Sequence, residues 1–98
     1  MKIGVIGSGT MGNGIAHSFA ANGYNVHLHD INSDLLSKGL ETIKKNLNRM
    51  VKKQIINEEQ LIETLNQISI TTNIEDMKDK NLIIEAATEN VDIKKTIF

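Results

Sequence analysis

The chain has 98 residues, enough for one domain, and because 40% of them are hydrophobic it can bury a core. Aromatic residues make up 3% and the formal net charge is -1, which argues against a nucleic-acid-binding surface built on base stacking or on a basic face. The absence of cysteine excludes disulfides, thiolate metal ligands and a thiol nucleophile, and no apolar run is long enough for a transmembrane helix, so we expect a cytoplasmic protein that binds no membrane.

The N-terminal residues predict a strand followed by a helix. Lys2–Ile6 is almost fully apolar, which is typical of a strand buried on both faces of a parallel sheet. Thr10–Asn22 is predicted to be a helix, because Met11, Ile15 and Phe19 recur every four residues and therefore share one side.

A second strand and a helical hairpin follow. Asn25–Asp30 is predicted to be the strand, since its apolar residues alternate with polar ones. A long helix begins after it, with Ser33 as the candidate cap. Asn57–Asn66 is predicted to be the second helix of the hairpin, because Asn57 can cap it and Gln60 stands at the capping-box position.

The last third of the chain predicts two more strands and a final helix. The strands are Ile68–Thr72 and Leu82–Ala86, and Asn73–Met77 forms a single helical turn between them. Asn90 is the candidate cap of the final helix, which reaches Phe98 without a C-terminal stop signal. We therefore interpret the chain as the front part of a longer protein.

This order of elements predicts an α/β fold. Alternating strands and helices imply right-handed crossovers and a Rossmann-type parallel sheet, here with a helical hairpin between strands two and three and a truncated C-terminus. With the strand order 3-2-1-4, the order reverses between strands one and four. Ligands of such sheets bind at that point, beyond the C-terminal ends of the strands.

A glycine-rich loop joins the first strand to the first helix and matches the fingerprint G-x-G-x-x-G. In that fingerprint the first glycine permits a tight turn, the second lets a diphosphate approach the backbone, and the third lets the helix pack against the strand. An acid follows at the end of the second strand, where it can bind the adenosine ribose. The predicted cofactor-binding residues are Gly7, Ser8, Gly9, Thr10, Met11, Gly12 and Asp30. The alternative is a glycine-rich turn that binds no ligand.

The residues around Asp30 bear on which dinucleotide is bound. A carboxylate there repels the 2′-phosphate of NADP, and no arginine follows it, since the next residues are Ile31, Asn32 and Ser33. The pattern favours NAD. Lys38 can in principle reach a phosphate, which leaves NADP open.

The loop "GSGTMGNGIA", the acid Asp30, the helical hairpin and the segment "LIIEAATENVDIKKTIF" resemble the N-terminal domain of 3-hydroxyacyl-CoA dehydrogenases, in particular the bacterial 3-hydroxybutyryl-CoA dehydrogenases. The resemblance covers essentially the whole chain. It implies that Glu89 and Lys94 contact the cofactor and that Asn46 and Lys53 contact coenzyme A. Considered without the resemblance, these four residues are equally typical of solvated helix surfaces.

The resemblance also implies an activity for the parent enzyme. This is the reversible NAD(P)-dependent oxidation of 3-hydroxybutyryl-CoA, or another 3-hydroxyacyl-CoA, to the 3-ketoacyl-CoA in butyrate or fatty-acid metabolism. The family's catalytic histidine, glutamate, serine and asparagine, and its dimerising helical domain, all come after Phe98. Residues 1–98 are therefore expected to be the N-terminal part of a dinucleotide-binding domain that holds cofactor but no catalytic residue. The parent is expected to be a homo-oligomer.

Other interpretations stay open at this point. The same domain occurs in multifunctional β-oxidation enzymes, and a non-catalytic dinucleotide sensor would share the binding residues. The 3-hydroxyisobutyrate dehydrogenases have a similar loop but lack the hairpin and the segment "EAATEN". His27 and His29 share one sheet face, but because no third ligand is evident we expect no metal site.

Overall fold

The computed structural model of the protein describes residues 1–86 and the backbone of residues 92–95. Its elements are β1 (Lys2–Ile6), α1 (Thr10–Ala21), β2 (Asn25–His29), α2 (Ser33–Lys52), α3 (Glu58–Asn66), β3 (Ile68–Thr71), a 3-10 turn (Ile74–Met77), β4 (Leu82–Glu85) and β5 (Asp92–Lys95). The predicted elements up to β4 are present, with ends that differ by one residue at most.

The five strands form one sheet in the order β3-β2-β1-β4-β5. The first four are parallel, and β1 lies between β2 and β4, so that Ile6 pairs with His29 on one side and with Glu85 on the other. The predicted parallel arrangement is confirmed. The strand order reverses at β1, which places the ends of β1, β2 and β4 around one crevice.

One face of the sheet carries the hydrophobic core, because successive strand residues point to opposite faces and α1 and α2 both cover the same one. The buried members of this core are Ile3, Val5, Ala16, Ala20, Val26, Leu28, Leu36, Ile43, Leu47 and Ile84. The other face carries Gly4 and the two histidines of β2. Near Gly4 this face is contacted by Met77 and Lys80, which leave no room for a side chain there.

Two helices of the hairpin begin at asparagine caps. The Asn57 side chain accepts from the Gln60 amide (2.8 Å) and the Asn57 amide donates to the Gln60 side chain (2.9 Å), so the predicted capping box is confirmed. The prediction that Ser33 caps α2 is wrong. Asn32 is the cap, because its extended backbone lets its side chain accept from the amides of Asp34 (2.9 Å) and Leu35 (3.1 Å).

The predicted C-terminal helix is also wrong over Asp92–Lys95, which form β5 antiparallel to β4, with Ile93 opposite Ile84. This pairing gives hydrogen-bond partners to the outer edge of β4, which a helix would leave open. Asn90, the expected cap of that helix, lies outside the described residues.

Candidate functional site

The three glycines of the loop after β1 differ in what the fold demands of them. Gly7 has a φ of 101°, a conformation that L-residues with a side chain rarely adopt. A Cβ on Gly12 would overlap the carbonyl oxygen of Gly7, so α1 can pass this close to the loop only without a side chain at that position. Gly9 has an ordinary φ of -66° and no heavy atom within 4 Å of a Cβ built on it. The fold therefore requires glycine at Gly7 and Gly12, but not at Gly9.

The start of α1 differs from the starts of the other two helices. Its N-cap is Gly9, and no side chain among the described residues caps it, whereas Asn32 and Asn57 cap α2 and α3. The first-turn amides of α1, those of Thr10 and Met11 included, therefore remain available at the positive end of the helix dipole. Such a helix start can bind an anion.

The Asp30 carboxylate is held over the loop by three hydrogen bonds. The Ser8 amide (3.0 Å) and the Ser8 hydroxyl (2.8 Å) both donate to Oδ2 of Asp30, and the Asn32 amide donates to Oδ1 (3.1 Å). A carboxylate has about four acceptor positions, so one on Oδ1 is still free. The amide of Ser8 is committed to Asp30, which means that Ser8 orients the acid.

These hydrogen bonds also keep Asp30 ionised. Partial burial by itself raises the pKa of Asp30, but the backbone amides of Asn32 and Ser8, the Ser8 hydroxyl and the nearby His29 together lower the pKa below its ordinary value. Asp30 is therefore a carboxylate at neutral pH, as an acceptor for sugar hydroxyls must be.

A cavity of about 510 Å³ opens beside this loop at the reversal point of the sheet. It is lined by Ile6, Gly7, Ser8, Gly9, His29, Asp30, Ile31, Asn32, Leu35 and Ala86. Ile31 is 88% exposed and Leu35 48% exposed, so the outer wall of the cavity is an apolar surface open to solvent. The aromatic base of a nucleoside can pack on such a surface while the neighbouring Asp30 carboxylate binds the sugar attached to that base.

Helix α2 is tied closely to the loop. A Cβ on Gly39 would lie 2.6 Å from the Ser8 carbonyl oxygen and 3.2 Å from the Ser8 side chain, so only glycine lets α2 approach Ser8 this closely. Gly39 itself is buried. The side of α2 that faces the loop and the cavity is therefore the side on which Gly39 and Leu35 lie.

Asn46 and Lys53, expected at a coenzyme A site, do not line the cavity. They follow Leu35 by 11 and 18 positions, which is close to three and five helical turns, so all three lie on one side of α2. Lys53 is exposed and Asn46 is half-buried. Lys53 lies about 27 Å along the helix from Leu35.

The remaining site predictions are only partly located. Gly7, Ser8, Gly9 and Asp30 line the cavity, Thr10 and Met11 form the adjacent helix start, and Gly12 is buried under Gly7. Lys94 lies in β5 opposite Ile83, and only its backbone is described. Glu89 lies outside the described residues.

Sequence reasoning missed six residues that line the cavity, which are Ile6, His29, Ile31, Asn32, Leu35 and Ala86. The signal that could have located most of them is their position at the end of a strand or next to Asp30. Ile6 and Ala86 follow from the strand ends, and His29 follows because it directly precedes Asp30 at the end of β2. Leu35 could be placed only once the approach of α2 to Ser8 was known.

Two further observations concern metal and membrane. Within the described residues, no three groups of the ligating types His, Cys, Asp or Glu are close enough to hold a metal ion. His27 and His29 therefore stand without a third ligand in that part of the chain. Over the same residues, no helix combines the length and the hydropathy that spanning a bilayer requires.

A parallel sheet reversing at β1, a glycine loop after β1 and an acid after β2 define a dinucleotide-binding domain of the Rossmann class. The family described as the NAD-binding domain of 3-hydroxyacyl-CoA dehydrogenase matches residues 2–98. The chain belongs to this family. The resemblance seen in the sequence and the assignment of NAD as the family's cofactor are thereby confirmed.

Curated relatives and solved structures agree with this assignment. The chain is 45% identical over 98 residues to the 3-hydroxybutyryl-CoA dehydrogenase of Clostridioides difficile and 43% identical over 97 residues to that of Bradyrhizobium diazoefficiens; the matches cover 100% and 99% of this chain but only 35% and 33% of the relatives. The crystal structure of (S)-3-hydroxybutyryl-CoA dehydrogenase from Ralstonia eutropha matches with a TM-score of 0.87 and 40% identity, covering 91% of this chain and 31% of the other. The chain thus spans about a third of the length of these relatives.

Proposed function

We propose that the chain is the N-terminal part of the cofactor-binding domain of a 3-hydroxyacyl-CoA dehydrogenase. The whole protein would interconvert 3-hydroxybutyryl-CoA, or a related 3-hydroxyacyl-CoA, and the 3-ketoacyl-CoA. Relatives of two kinds support this proposal. The 3-hydroxybutyryl-CoA dehydrogenases match this chain at 43% and 45% identity, and the multifunctional β-oxidation protein of Cucumis sativus matches it at 34%. The higher identity favours the first kind.

The observation that carries the proposal is the empty space over Gly9. Neither its φ of -66° nor any neighbouring atom forbids a side chain at this position. A diphosphate seated on the amides of Gly9 and the first turn of α1 would account for the absence of a side chain at this position. The Thr10, Met11 and Gly12 amides belong to the same helix start.

The other groups of the dinucleotide are assigned by position. Asp30 accepts from the hydroxyls of the adenosine ribose, and Ser8 orients it through two hydrogen bonds. Ile31 and Leu35 pack against the adenine. Glu89 and Lys94 are assigned to the nicotinamide side on the family resemblance alone. When bound, the nicotinamide ring supplies the site of hydride transfer.

NAD is preferred over NADP in this proposal. The lowered pKa keeps Asp30 charged, and its Oδ2 accepts both hydrogen bonds of Ser8, so the acid cannot turn away from a 2′-phosphate without breaking them. A doubly charged phosphate beside such a carboxylate is repelled.

Purified chain is expected to bind NADH more tightly than NADPH in a fluorescence titration. Gly9→Ala is expected to weaken NADH binding at least about tenfold, because its methyl group would occupy the space of the diphosphate, while the free energy of unfolding falls by no more than about 1 kcal/mol, the difference between glycine and alanine as an N-cap. The chain alone is expected not to reduce acetoacetyl-CoA, since we assign the catalytic groups to residues outside it.

Gly14→Ala is the matched control, since Gly14 also has no atom within 4 Å of a Cβ built on its backbone but lies in the middle of α1. It is expected to raise stability by about 0.5–1 kcal/mol through helix propensity and to leave NADH binding intact. Unchanged NADH affinity in Gly9→Ala would refute the assignment of the diphosphate.

Coenzyme A is proposed to lie along the side of α2 that carries Asn46 and Lys53. This side is continuous with Leu35 and therefore with the cavity. Lys53→Ala is expected to weaken coenzyme A binding about two- to fivefold in an NMR titration, the size of one exposed ion pair. The homo-oligomer and the cytoplasmic location of the parent remain part of the same proposal.

Lys45→Ala is the control for Lys53→Ala, because it removes the same charge from the same helix at a position that points about 80° away around the helix axis. It is expected to change coenzyme A binding by less than Lys53→Ala does. Equal losses in the two variants would show that α2 attracts coenzyme A through its overall charge, and the proposed contact would be wrong.

A further inference from the structure

His29 is a buried histidine that has no hydrogen-bond partner among the residues the structure describes. The residue is only 3% exposed, and within that part of the chain neither Nδ1 nor Nε2 finds a donor or acceptor. A neutral imidazole carries one N–H donor and one acceptor nitrogen, so both of its polar atoms are unsatisfied. Such a pair of orphaned groups costs free energy unless a partner arrives.

The position of His29 indicates where that partner comes from. His29 lines the 510 Å³ cavity together with Gly9 and Asp30, which bind the diphosphate and the ribose in the proposed function. It pairs with Ile6 of β1 at the end of β2 and directly precedes Asp30. The end of β2 lies on the adenosine side of the reversal point of the sheet.

We propose that His29 is a further cofactor-binding residue, whose ring forms a hydrogen bond with the adenosine half of the bound dinucleotide. This inference rests on the proposed function, since it requires a dinucleotide in the cavity. The His29 contact lies on the face of β2 opposite the hydrophobic core. Asp30 and His29 would therefore bind the adenosine half of the dinucleotide from different sides.

A purely structural role makes a different prediction. If His29 only filled space, an apolar residue of similar size would serve as well or better in both the free and the bound protein. The binding role predicts that such a residue is tolerated in the free protein and harmful only to the complex. Stability and affinity therefore separate the two roles.

The experiment compares His29→Leu with the unsubstituted chain by calorimetric titration with NADH, AMP and nicotinamide mononucleotide. His29→Leu is expected to weaken NADH and AMP binding about fivefold, the size of one neutral hydrogen bond, and to leave nicotinamide mononucleotide binding unchanged. The urea midpoint of the free variant is expected to stay the same or rise.

His27→Leu provides the matched control. His27 lies two residues earlier on the same face of β2 and is half-buried, and its Nδ1 has no partner among the described residues. It lines a different cavity with Asp76 and Lys80. It is expected to bind NADH and AMP as the unsubstituted chain does.

Each outcome decides the matter. If His29→Leu binds NADH and AMP as tightly as His27→Leu does, the imidazole makes no contact with the cofactor and the inference is wrong. If His29→Leu fails to fold, the imidazole has a structural partner and the inference is also wrong. If the unsubstituted chain itself binds no NADH, the proposed function fails and the inference fails with it. Normal NADH binding with an unaffected His29→Leu variant would remove this inference alone.

Discussion

Gly12→Ala is expected to destabilise the chain by about 3 kcal/mol and to abolish NADH binding, the largest combined effect of any substitution in the site. The added methyl would overlap the Gly7 carbonyl oxygen and lie 2.7 Å from its carbonyl carbon. Both atoms belong to the backbone, so no side-chain rotation relieves the clash. The loop and α1 must move apart, which removes the anion-binding arrangement. Urea unfolding and NADH fluorescence measure the two losses.

The comparison with Gly9→Ala makes this prediction specific. Gly9→Ala is expected to lose NADH affinity and keep most of its stability, whereas Gly12→Ala loses both, because only at Gly12 of these two positions would a side chain overlap other atoms. A Gly12→Ala chain with the stability of the unsubstituted protein would show that the helix and the loop are not packed as described.

Asp30→Asn is expected to weaken NADH binding about a hundredfold while changing NADPH binding far less. The carboxylate accepts from three donors, the Ser8 amide, the Ser8 hydroxyl and the Asn32 amide, and an amide group cannot accept on both of its ends. The substitution therefore removes the acceptor for the ribose and the charge that repels a 2′-phosphate. Parallel titrations with NADH and NADPH measure the change in preference.

Asp34→Asn is the control for charge alone, because Asp34 is an exposed acid in the first turn of α2 near the same cavity. It is expected to leave the ratio of NADH to NADPH affinity unchanged. If it changes that ratio as much as Asp30→Asn does, the preference arises from net charge and not from the contact of Asp30 with the ribose.

The pH dependence of NADH binding follows from the same acid. The pKa of Asp30 in the folded chain lies below its ordinary value, so the carboxylate remains charged at the pH where an unperturbed aspartate begins to protonate. Its contribution to stability is fully present above that ordinary value and is lost as the pH falls through the lowered pKa. NADH affinity, followed by fluorescence titration at each pH, is expected to be constant from neutral pH down to the ordinary aspartate range.

Much of this site follows from local sequence signals. The predicted bounds of Lys2–Ile6 are correct to the residue, because an apolar run that ends in glycine is typical of a buried strand before a turn. The Asn57 capping box involves residues only three apart. Gly7, Gly12 and Asp30 are located through a spacing that the phosphate-binding turn imposes. Features of this kind depend on contacts within a few residues or on a fixed motif.

Two of the features that the sequence did not reveal depend on contacts between residues distant in the chain, and the third depends on the backbone conformation of a single residue. The antiparallel pairing of Asp92–Lys95 depends on an open edge of β4 that no local pattern reveals. The lack of hydrogen-bond partners for the two His29 nitrogens among the described residues depends on which groups surround the ring in the folded chain. Asparagine and serine both cap helices well, so residue type does not distinguish Asn32 from Ser33. Asn32 is the cap because its backbone is extended, whereas the helix already begins at Ser33.

The contact between Gly39 and Ser8 has a consequence for redesign of this domain. Because the two backbones touch without an intervening side chain, the long helix and the phosphate-binding turn behave as one block. Exchanging Ile31 or Leu35, which form the exposed outer wall of the pocket, to accept a different nucleotide would therefore alter only the rim of the pocket. Any insertion or bulky replacement around Gly39 would instead tilt the whole block and disturb every ligand that the domain accommodates.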